Sequence, residues 1–177
     1  MRIVGGKYKG KRLTAPKNLP TRPTTDFAKE GLFNIIQNQI DLEGKVVLDL
    51  FAGTGNISFE FASRGAEKIV GIEQNYRAVK FIQQTAKEFN MPIDIYKNDV
   101  FRGLKKVQYD FDIIFADPPY KLKTLDTLPD KVMEANILNK DGMLIVEHGR
   151  EHDFTNHPYF KSHRKFGNVN FSFFGYE

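Results

Sequence analysis

The sequence contains no cysteine, and none of its apolar runs is long enough to span a membrane. Without cysteine the chain can form no disulfide, thiolate zinc site, iron–sulfur cluster or thiol nucleophile, which fits a reducing compartment. The first residues lack the apolar stretch of a signal peptide, so we expect a cytoplasmic protein. A chain of 177 residues can bury a core of its own without a disulfide or a metal ion.

Acidic residues are absent from the first 25 positions, which carry seven basic side chains: Arg2, Lys7, Lys9, Lys11, Arg12, Lys17 and Arg22. The remaining positions hold 19 basic and 22 acidic side chains, so a basic arm is joined to a weakly acidic body. Such an arm indicates a polyanionic partner such as nucleic acid, although a solubilising tail has the same composition. We divide the chain into an arm, residues 1–24, and a main domain, residues 25–177.

Two short apolar pieces within the arm, around Ile3 and Leu13, are separated by glycine turns and predict a small hairpin. On its strands, alternation would place Lys7, Lys9 and Lys11 on one face, as a row that can follow a phosphate backbone.

Beyond the arm, the pattern predicts first a helix from Thr24 or Thr25 to about Gln39, and then alternating strands and helices. The predicted strands are Val46–Phe51, Ile69–Ile72, Ile93–Tyr96, Phe111–Ala116 and Met143–Val146. The predicted helices lie near residues 57–63, 75–89, 99–106 and 124–138. Alternation of this length indicates a parallel sheet with helices on both faces. Gly167-Asn168 predicts a closing antiparallel hairpin of Phe160–Phe166 and Phe171–Tyr176.

A glycine turn follows the first predicted strand, with Gly53 and Gly55 where a bound ligand would approach the backbone. The second strand ends at Glu73, whose carboxylate can accept hydrogen bonds from both ribose hydroxyls. A tight turn beside a surface glutamate would have the same sequence. Because Ser58 replaces the third glycine of a dinucleotide motif and Asp49 would repel a pyrophosphate, the pattern favours S-adenosylmethionine over a nicotinamide cofactor.

The fourth predicted strand runs directly into Asp117-Pro118-Pro119-Tyr120. An exocyclic base amine is a poor nucleophile, and the Asp117 carboxylate and Pro118 carbonyl could accept hydrogen bonds from both of its N–H groups. The Tyr120 ring offers a face for stacking the base. A proline-rich strand end is the structural alternative, but its place behind a cofactor turn favours catalysis.

Three further segments resemble the RsmD family of ribosomal RNA methyltransferases, and Asp117–Tyr120 resembles the catalytic motif of base-amino methyltransferases in general. The three segments are Arg2-Ile3-Val4-Gly5-Gly6-Lys7-Tyr8-Lys9-Gly10-Lys11-Arg12-Leu13, Thr21-Arg22-Pro23-Thr24 and Leu48-Asp49-Leu50-Phe51-Ala52-Gly53-Thr54-Gly55. The resemblance covers essentially the whole chain. It implies S-adenosylmethionine-dependent methylation of N2 of a guanine in 16S rRNA, with an assembling small subunit as the expected partner and a monomeric enzyme.

The implied fold is a Rossmann-like class I methyltransferase, with a mostly parallel seven-stranded sheet, a C-terminal antiparallel hairpin and a small basic N-terminal hairpin. The implied cofactor-binding residues are Asp49, Phe51, Gly53, Gly55, Glu73, Asp99 and Val100, with Glu73 at the ribose and Asp99 at the adenine. The implied catalytic residues are Asp117, Pro118 and Tyr120. The implied substrate-binding residues are Lys7, Lys9, Lys11, Arg12, Arg22 and Pro119.

The chain departs from the family pattern after Asp26. The family leads us to expect an arginine and then a helix former where this chain has Lys29 and Gly31. Lys29 keeps the charge but lacks the bidentate geometry of arginine, and Gly31 costs a helix about 1 kcal/mol.

Several other functions share part of this pattern. A DNA amino-methyltransferase would use the same chemistry but needs a recognition region for which no segment is free, and a protein-glutamine methyltransferase has asparagine in place of Asp117. A non-catalytic RNA-binding assembly factor would keep the fold without Asp117–Tyr120. The four histidines suggest no metal site, because His148 and His152 straddle Gly149 near a strand end. We interpret Glu147 as a polar strand-end residue.

Overall fold

The computed structural model describes residues 1–20 and 23–177. The strands are β1 (Val46–Leu50), β2 (Lys68–Glu73), β3 (Ile93–Lys97), β4 (Phe111–Ala116), β5 (Leu138–His148), β6 (Phe160–Phe166) and β7 (Val169–Phe174). The helices are α1 (Asp26–Gln39), α2 (Asn56–Ser63), α3 (Tyr76–Glu88), α4 (Val100–Leu104) and α5 (Leu128–Glu134), with a short 3₁₀ turn at Leu125–Thr127. Among the described residues, no helix has the length and apolarity needed to cross a membrane.

The seven strands form one sheet in the order β3-β2-β1-β4-β5-β7-β6. Strands β1 to β5 run parallel, and β7 is antiparallel to both β5 and β6. Helices α1, α2 and α3 cover one face, and α4 and α5 cover the other. This arrangement confirms the predicted Rossmann-like class I methyltransferase fold, including its C-terminal antiparallel hairpin.

The region between β4 and β5 differs from the sequence prediction. The helix predicted over 124–138 is confined to α5, because the chain leaves the helix at Ala135 and Asn136 takes a left-handed conformation (φ 56°). Strand β5 consequently begins at Leu138, five residues earlier than predicted. Its start pairs with Phe111 before a register irregularity.

The arm packs against the main domain as an open hairpin. A bridge joins Arg2 to Arg12, and the buried side chains of Ile3 and Leu13 belong to the core beneath α1. Residues 7–10 form turns rather than strand, so the alternation expected to align Lys7, Lys9 and Lys11 does not apply, and that prediction is wrong.

A buried ion pair between Lys29 on α1 and Glu60 on α2 anchors the arm. The Lys29 Nζ lies 3.3 Å from Glu60 Oε2 and donates to Asn56 Oδ1 (2.8 Å) and to the Arg2 carbonyl oxygen (2.5 Å). The Glu60 carboxylate accepts hydrogen bonds from the Val4 and Gly5 amides and from Arg64. Lys29 is only 1% exposed, so this residue fastens the arm to the body and does not face a substrate.

Candidate active site

The carboxyl ends of the parallel strands meet at one edge of the sheet, where open α/β folds bind their ligands. Register places the end of β1 beside the ends of β2 and β4, and the end of β4 beside β5. The Asp117 amide approaches the Leu50 carbonyl oxygen at 3.5 Å. The structure therefore brings the glycine turn, Glu73 and Asp117–Tyr120 to one edge, which we call the catalytic edge.

The turn from β1 into α2 has an unusual backbone. Phe51 and Gly53 both have φ 58° and Gly55 has φ 84°, in the left-handed region, which a phenylalanine rarely adopts and which is a strain typical of functional sites. The Phe51 ring packs edge-on against Phe101, with centroids 6.5 Å apart. A fixed, strained turn of this kind suits close approach of a ligand.

The structure changes the reason for the glycine at position 55. A Cβ there would lie 2.8 Å from Phe59 Cε2 and 2.9 Å from Ile82 Cγ1, both of which are buried side chains of the core. We expected a side chain at Gly55 to collide with the cofactor, but the collision lies inside the protein. A valine at this position would therefore disturb packing and would not report on the cofactor alone.

Glu73 joins two turns of the catalytic edge. Its Oε1 accepts a hydrogen bond from the Gly53 amide (2.9 Å) and its Oε2 accepts one from the Asn75 amide (2.7 Å). Since an ionised carboxylate has about four acceptor positions, lone pairs remain for two hydroxyl groups. This geometry suits the predicted contact with a ribose.

Asp49 lies beneath the turn rather than on its surface. It is 1% exposed, and its Oδ2 accepts a hydrogen bond from the Ser58 hydroxyl at 2.6 Å. Burial, with a smaller effect from the Glu73 charge, raises the pKa of Asp49 to about 7. Ser58, which we used only to exclude a dinucleotide motif, is thus the hydrogen-bond partner of Asp49, and a direct contact between Asp49 and the cofactor remains a prediction.

Replacing Asp49 by asparagine should flatten the pH dependence of stability. Because the folded-state pKa is raised, Asp49 stabilises the fold while protonated, and this stability is lost as pH rises from about 4 through about 7. The free wild-type protein should therefore lose about 2–3 kcal/mol of unfolding free energy from this group between pH 5 and 8. Denaturant titrations of wild type and Asp49→Asn at both pH values measure it, and parallel pH profiles would contradict the buried, protonated carboxyl.

Asp99 and Val100 lie at the far end of the catalytic edge, after β3. Asp99 is exposed and caps α4, accepting a hydrogen bond from the Arg102 amide at 3.1 Å, and Val100 is buried. Three strand spacings, about 14 Å, separate the end of β3 from that of β4. The assignment of Asp99 to an adenine amino group remains a prediction, since capping alone also explains this aspartate.

The Asp117–Tyr120 segment leads from the end of β4 into a turn over residues 119–122. Pro118 is buried, Pro119 and Tyr120 are exposed, and the Pro119 carbonyl oxygen accepts a hydrogen bond from the Leu122 amide at 2.9 Å. The Tyr120 side chain is 50% exposed beside Asp117. Stacking of a base on the Tyr120 ring remains a prediction.

Glu147 is a site residue that the sequence analysis did not assign to the site. It follows Val146, the partner of Ala116 in register, so Glu147 and Asp117 are neighbours on adjacent strand ends. Glu147 is 4% exposed, and its Oε1 accepts a hydrogen bond from the Thr24 hydroxyl at 2.8 Å. A carboxylate one residue before the end of β5 was the available signal in the sequence. It points to the site only when the register between β4 and β5 is known.

Asp117 and Glu147 form a pair of facing carboxyl groups. Burial, then the facing Glu147 carboxylate, raise the pKa of Asp117 well above its usual value. Burial also raises the pKa of Glu147, although its hydrogen bonds with Asp117 and Thr24 oppose this. Each carboxyl group disfavours ionisation of the other, so the pair gives up its second proton only above the usual pH range of carboxyl groups.

The lysines of the arm lie away from this edge. The Lys7 amide donates to the Ser63 carbonyl oxygen (2.7 Å) and the Tyr8 hydroxyl donates to that of Phe89 (2.8 Å). These are the far ends of α2 and α3, roughly 12 Å from the turn at which α2 begins. Lys7 and Lys9 are exposed there. Arg12 is also exposed but pairs with Arg2, whose carbonyl oxygen accepts a hydrogen bond from Lys29 near the start of α2. Arg22 lies outside the described residues.

The fold and the carboxyl-lined edge define a class I methyltransferase. A protein-family model described as "Conserved hypothetical protein 95" matches residues 1–175. The Bacillus subtilis protein YlbH is 38% identical over 156 residues, which cover 85% of this chain and 84% of that protein. The ribosomal RNA small subunit methyltransferase D of Buchnera aphidicola (subspecies Baizongia pistaciae) is 30% identical over 148 residues, covering 83% and 75% respectively.

Among solved structures, a T. thermophilus 16S rRNA N2 methyltransferase in complex with AdoMet and guanosine superposes with a TM-score of 0.72 at 22% identity, over 90% of this chain and 45% of that one. That likeness concerns the fold. The family match and the relatives show that the chain belongs to the RsmD family of S-adenosylmethionine-dependent rRNA methyltransferases.

Proposed function

We propose that the protein methylates the exocyclic N2 amino group of a guanine in 16S rRNA of the small ribosomal subunit. The observation that carries this proposal is the carboxyl pair of Asp117 and Glu147 beside the Pro118-Pro119-Tyr120 turn. The Buchnera relative is named for the small ribosomal subunit, and the superposed T. thermophilus enzyme is an N2 methyltransferase in complex with guanosine.

The pair favours guanine over adenine on hydrogen-bond grounds. Next to its amino group, guanine presents N1–H, a second donor, whereas adenine presents N1, an acceptor. Two adjacent carboxyl groups offer acceptor oxygens to both guanine donors, whereas adenine presents N1 as an acceptor and gives an ionised Glu147 no hydrogen to accept. Asp117 then holds the amino group that reacts, and Glu147 accepts from N1–H.

The residues of the catalytic edge fit S-adenosylmethionine. Glu73 keeps acceptor positions for the ribose, the strained turn at Phe51 and Gly53 brings backbone close to the ligand, and Asp99 stands where an amino donor of adenine would be accepted. When bound, this cofactor would supply an electrophilic methyl group for direct transfer to the base nitrogen.

The protein's own residues prepare the amine for that transfer. Acceptors at Asp117 and the Pro118 carbonyl hold both amino protons and aim the nitrogen lone pair, and Tyr120 stacks the base. Positive charge develops on the nitrogen as the new bond forms, and the negative pair stabilises it in a largely buried setting. The amine proton then leaves to the carboxyl pair, which passes it to water.

Replacing Glu147 by glutamine should slow turnover about tenfold, the effect of one weakened charged hydrogen bond, and should move the acid limb of the pH–rate profile to lower pH. The shift follows because Glu147 raises the pKa of Asp117, so that removing its charge lets Asp117 ionise in more acidic solution. Single-turnover rates between pH 5 and 9 measure both effects. An unmoved acid limb would show that Glu147 does not act on Asp117.

The arm is proposed to hold RNA phosphates outside the catalytic edge. Flipping a base out of its stack costs a few kcal/mol, which remote backbone contacts can offset. Replacing Lys7, Lys9, Lys11 and Arg12 by glutamine should leave cofactor binding unchanged and lower the slope of log K against log salt by about three. RNA affinities at four or more salt concentrations give the slopes. Equal salt slopes for the wild type and the quadruple variant would show that these residues do not contact phosphates, and the arm would then be a solubilising surface.

The macromolecule that receives a labelled methyl group identifies the substrate class. With tritiated S-adenosylmethionine, label should enter 16S rRNA of undermethylated small subunits in the cytoplasmic fraction and leave duplex DNA and protein unlabelled. Label in DNA or in a protein glutamine would replace the proposal by one of those activities. No label in any acceptor, with RNA still bound, would make the protein a non-catalytic assembly factor.

A further inference from the structure

An exposed aromatic ring lies where the start of α1 meets the edge strand β6. The Phe27 side chain is 68% exposed, more than any other large apolar side chain among the described residues. Its ring meets that of Phe166 edge to face, with centroids 5.9 Å apart and an interplanar angle of 81°. The solvent-exposed Phe27 ring therefore packs on the Phe166 ring, which is partly buried against the core.

Gly31 lets the supporting ring pack against the helix. It stands one turn after Phe27 within α1, where a Cβ would collide with the Phe166 ring. A glycine inside a helix costs about 1 kcal/mol relative to alanine. This departure from the family pattern therefore makes room for the Phe166 ring, which in turn supports the ring of Phe27.

Strand β6 adds positive charge next to this ring. It carries Lys161, Arg164 and Lys165 and no acidic residue. In register, Arg164 pairs with Phe171, which pairs with Glu147, so Arg164 lies two strand spacings, about 10 Å, from Glu147 of the catalytic carboxyl pair. Arg164 and Phe166 are two residues apart and share the face of the sheet that α1 covers.

We propose that Phe27 and Arg164 form a stacking platform for RNA beside the catalytic edge. One base flanking the methylated nucleotide stacks on the Phe27 ring, and a phosphate of the same strand pairs with the Arg164 guanidinium. The proposal rests on the proposed rRNA substrate and adds a binding surface distinct from the basic arm.

Single-stranded RNA is the occupant that this chemistry fits best. A flat, water-exposed ring beside a guanidinium offers one stacking surface and one phosphate partner, the two groups that repeat along a nucleic acid strand. Basic residues on an edge strand also prevent edge-to-edge aggregation, but that role explains the charges of β6 and not the exposed ring on α1.

The test uses an unmodified 16S rRNA transcript and the full-length protein. Phe27→Leu should weaken RNA binding about tenfold, as loss of one stacked base does, whereas Phe27→Trp should bind like wild type. Arg164→Gln should lower the slope of log K against log salt by about 0.7–0.9. Since both side chains are exposed, stability and S-adenosylmethionine affinity should not change.

Matched controls come from the end of the sheet opposite the catalytic edge, where the parallel strands begin. Tyr109→Ala removes another exposed ring, and Lys161→Gln removes a charge from the start of the same strand; both should bind RNA like wild type. Equal affinity of Phe27→Leu and wild type, or an equal loss in Tyr109→Ala, would overturn the platform. So would a Phe27→Leu variant that binds the transcript normally but methylates subunits poorly, which would indicate a protein partner. If the wild-type protein does not bind the free transcript, the same comparison is made with undermethylated small subunits; failure of the wild-type protein to methylate those subunits would instead reject the proposed function.

Discussion

Lys29→Met should lower the unfolding free energy by about 3–5 kcal/mol, the cost of breaking a buried ion pair from one side. The substitution keeps the apolar stem but removes the ammonium that lies 3.3 Å from Glu60 Oε2 and donates to Asn56. The Glu60 carboxylate would then remain fully buried with Arg64 as its remaining cationic partner. Denaturant unfolding followed by far-UV circular dichroism measures the loss.

The exposed Lys80 on α3 provides the matched control for this substitution. Lys80→Met removes the same charge from a helix surface and should change stability by no more than about 0.5 kcal/mol. A loss below about 1 kcal/mol in Lys29→Met would contradict the anchoring role of Lys29. The arm should also become sensitive to protease in this variant, because Lys29 holds the Arg2 carbonyl oxygen.

Asp117→Ala should reduce single-turnover methyl transfer by about 10²–10³, the effect of removing one preorganised transition-state partner. The substitution removes an acceptor of the amino group and half of the negative pair. S-adenosylmethionine affinity should change little, because the residues proposed to hold the cofactor lie on other turns. Calorimetry and single-turnover rates on undermethylated subunits separate the two effects.

Asp141→Ala is the control for Asp117→Ala. Asp141 is exposed in the early part of β5, at the opposite edge of the sheet, and its loss should leave the rate unchanged. Asp117→Asn keeps the side-chain shape if the alanine variant proves unstable, and should also lose at least tenfold, since an amide carries no charge. Rates within threefold of wild type in Asp117→Ala would remove Asp117 from the chemistry.

Most of the architecture could be predicted because apolar runs and glycine turns mark parallel strands directly. The five parallel strands, α1 with its Thr25 cap and the hairpin at Gly167-Asn168 all follow from such local signals. The early start of β5 could not be predicted, since it depends on pairing between Leu138 and Phe111, which are distant in sequence. The glycine turns of the arm were expected, but their extension over Lys7 and Tyr8 was not, because contacts with Ser63 fix these two residues.

The candidate site was predicted only in part, for a similar reason. Asp117 and Glu73 stand in recognisable local patterns at strand ends. Glu147 was left out because its importance comes from the register of β4 and β5 and from Thr24, 123 residues away. Lys29 carries a charge in an amphipathic helix, and only the position of Glu60 shows that the charge is buried.

The chemical identity of the methylated nucleoside tests the central claim most directly. After reaction of wild-type protein with undermethylated small subunits and labelled S-adenosylmethionine, 16S rRNA is digested to nucleosides and separated by chromatography with mass detection. The account predicts that the label migrates with N2-methylguanosine and is almost absent when Asp117→Ala replaces the wild-type protein. Label in N6-methyladenosine, or in a ring-carbon methyl product, would contradict it.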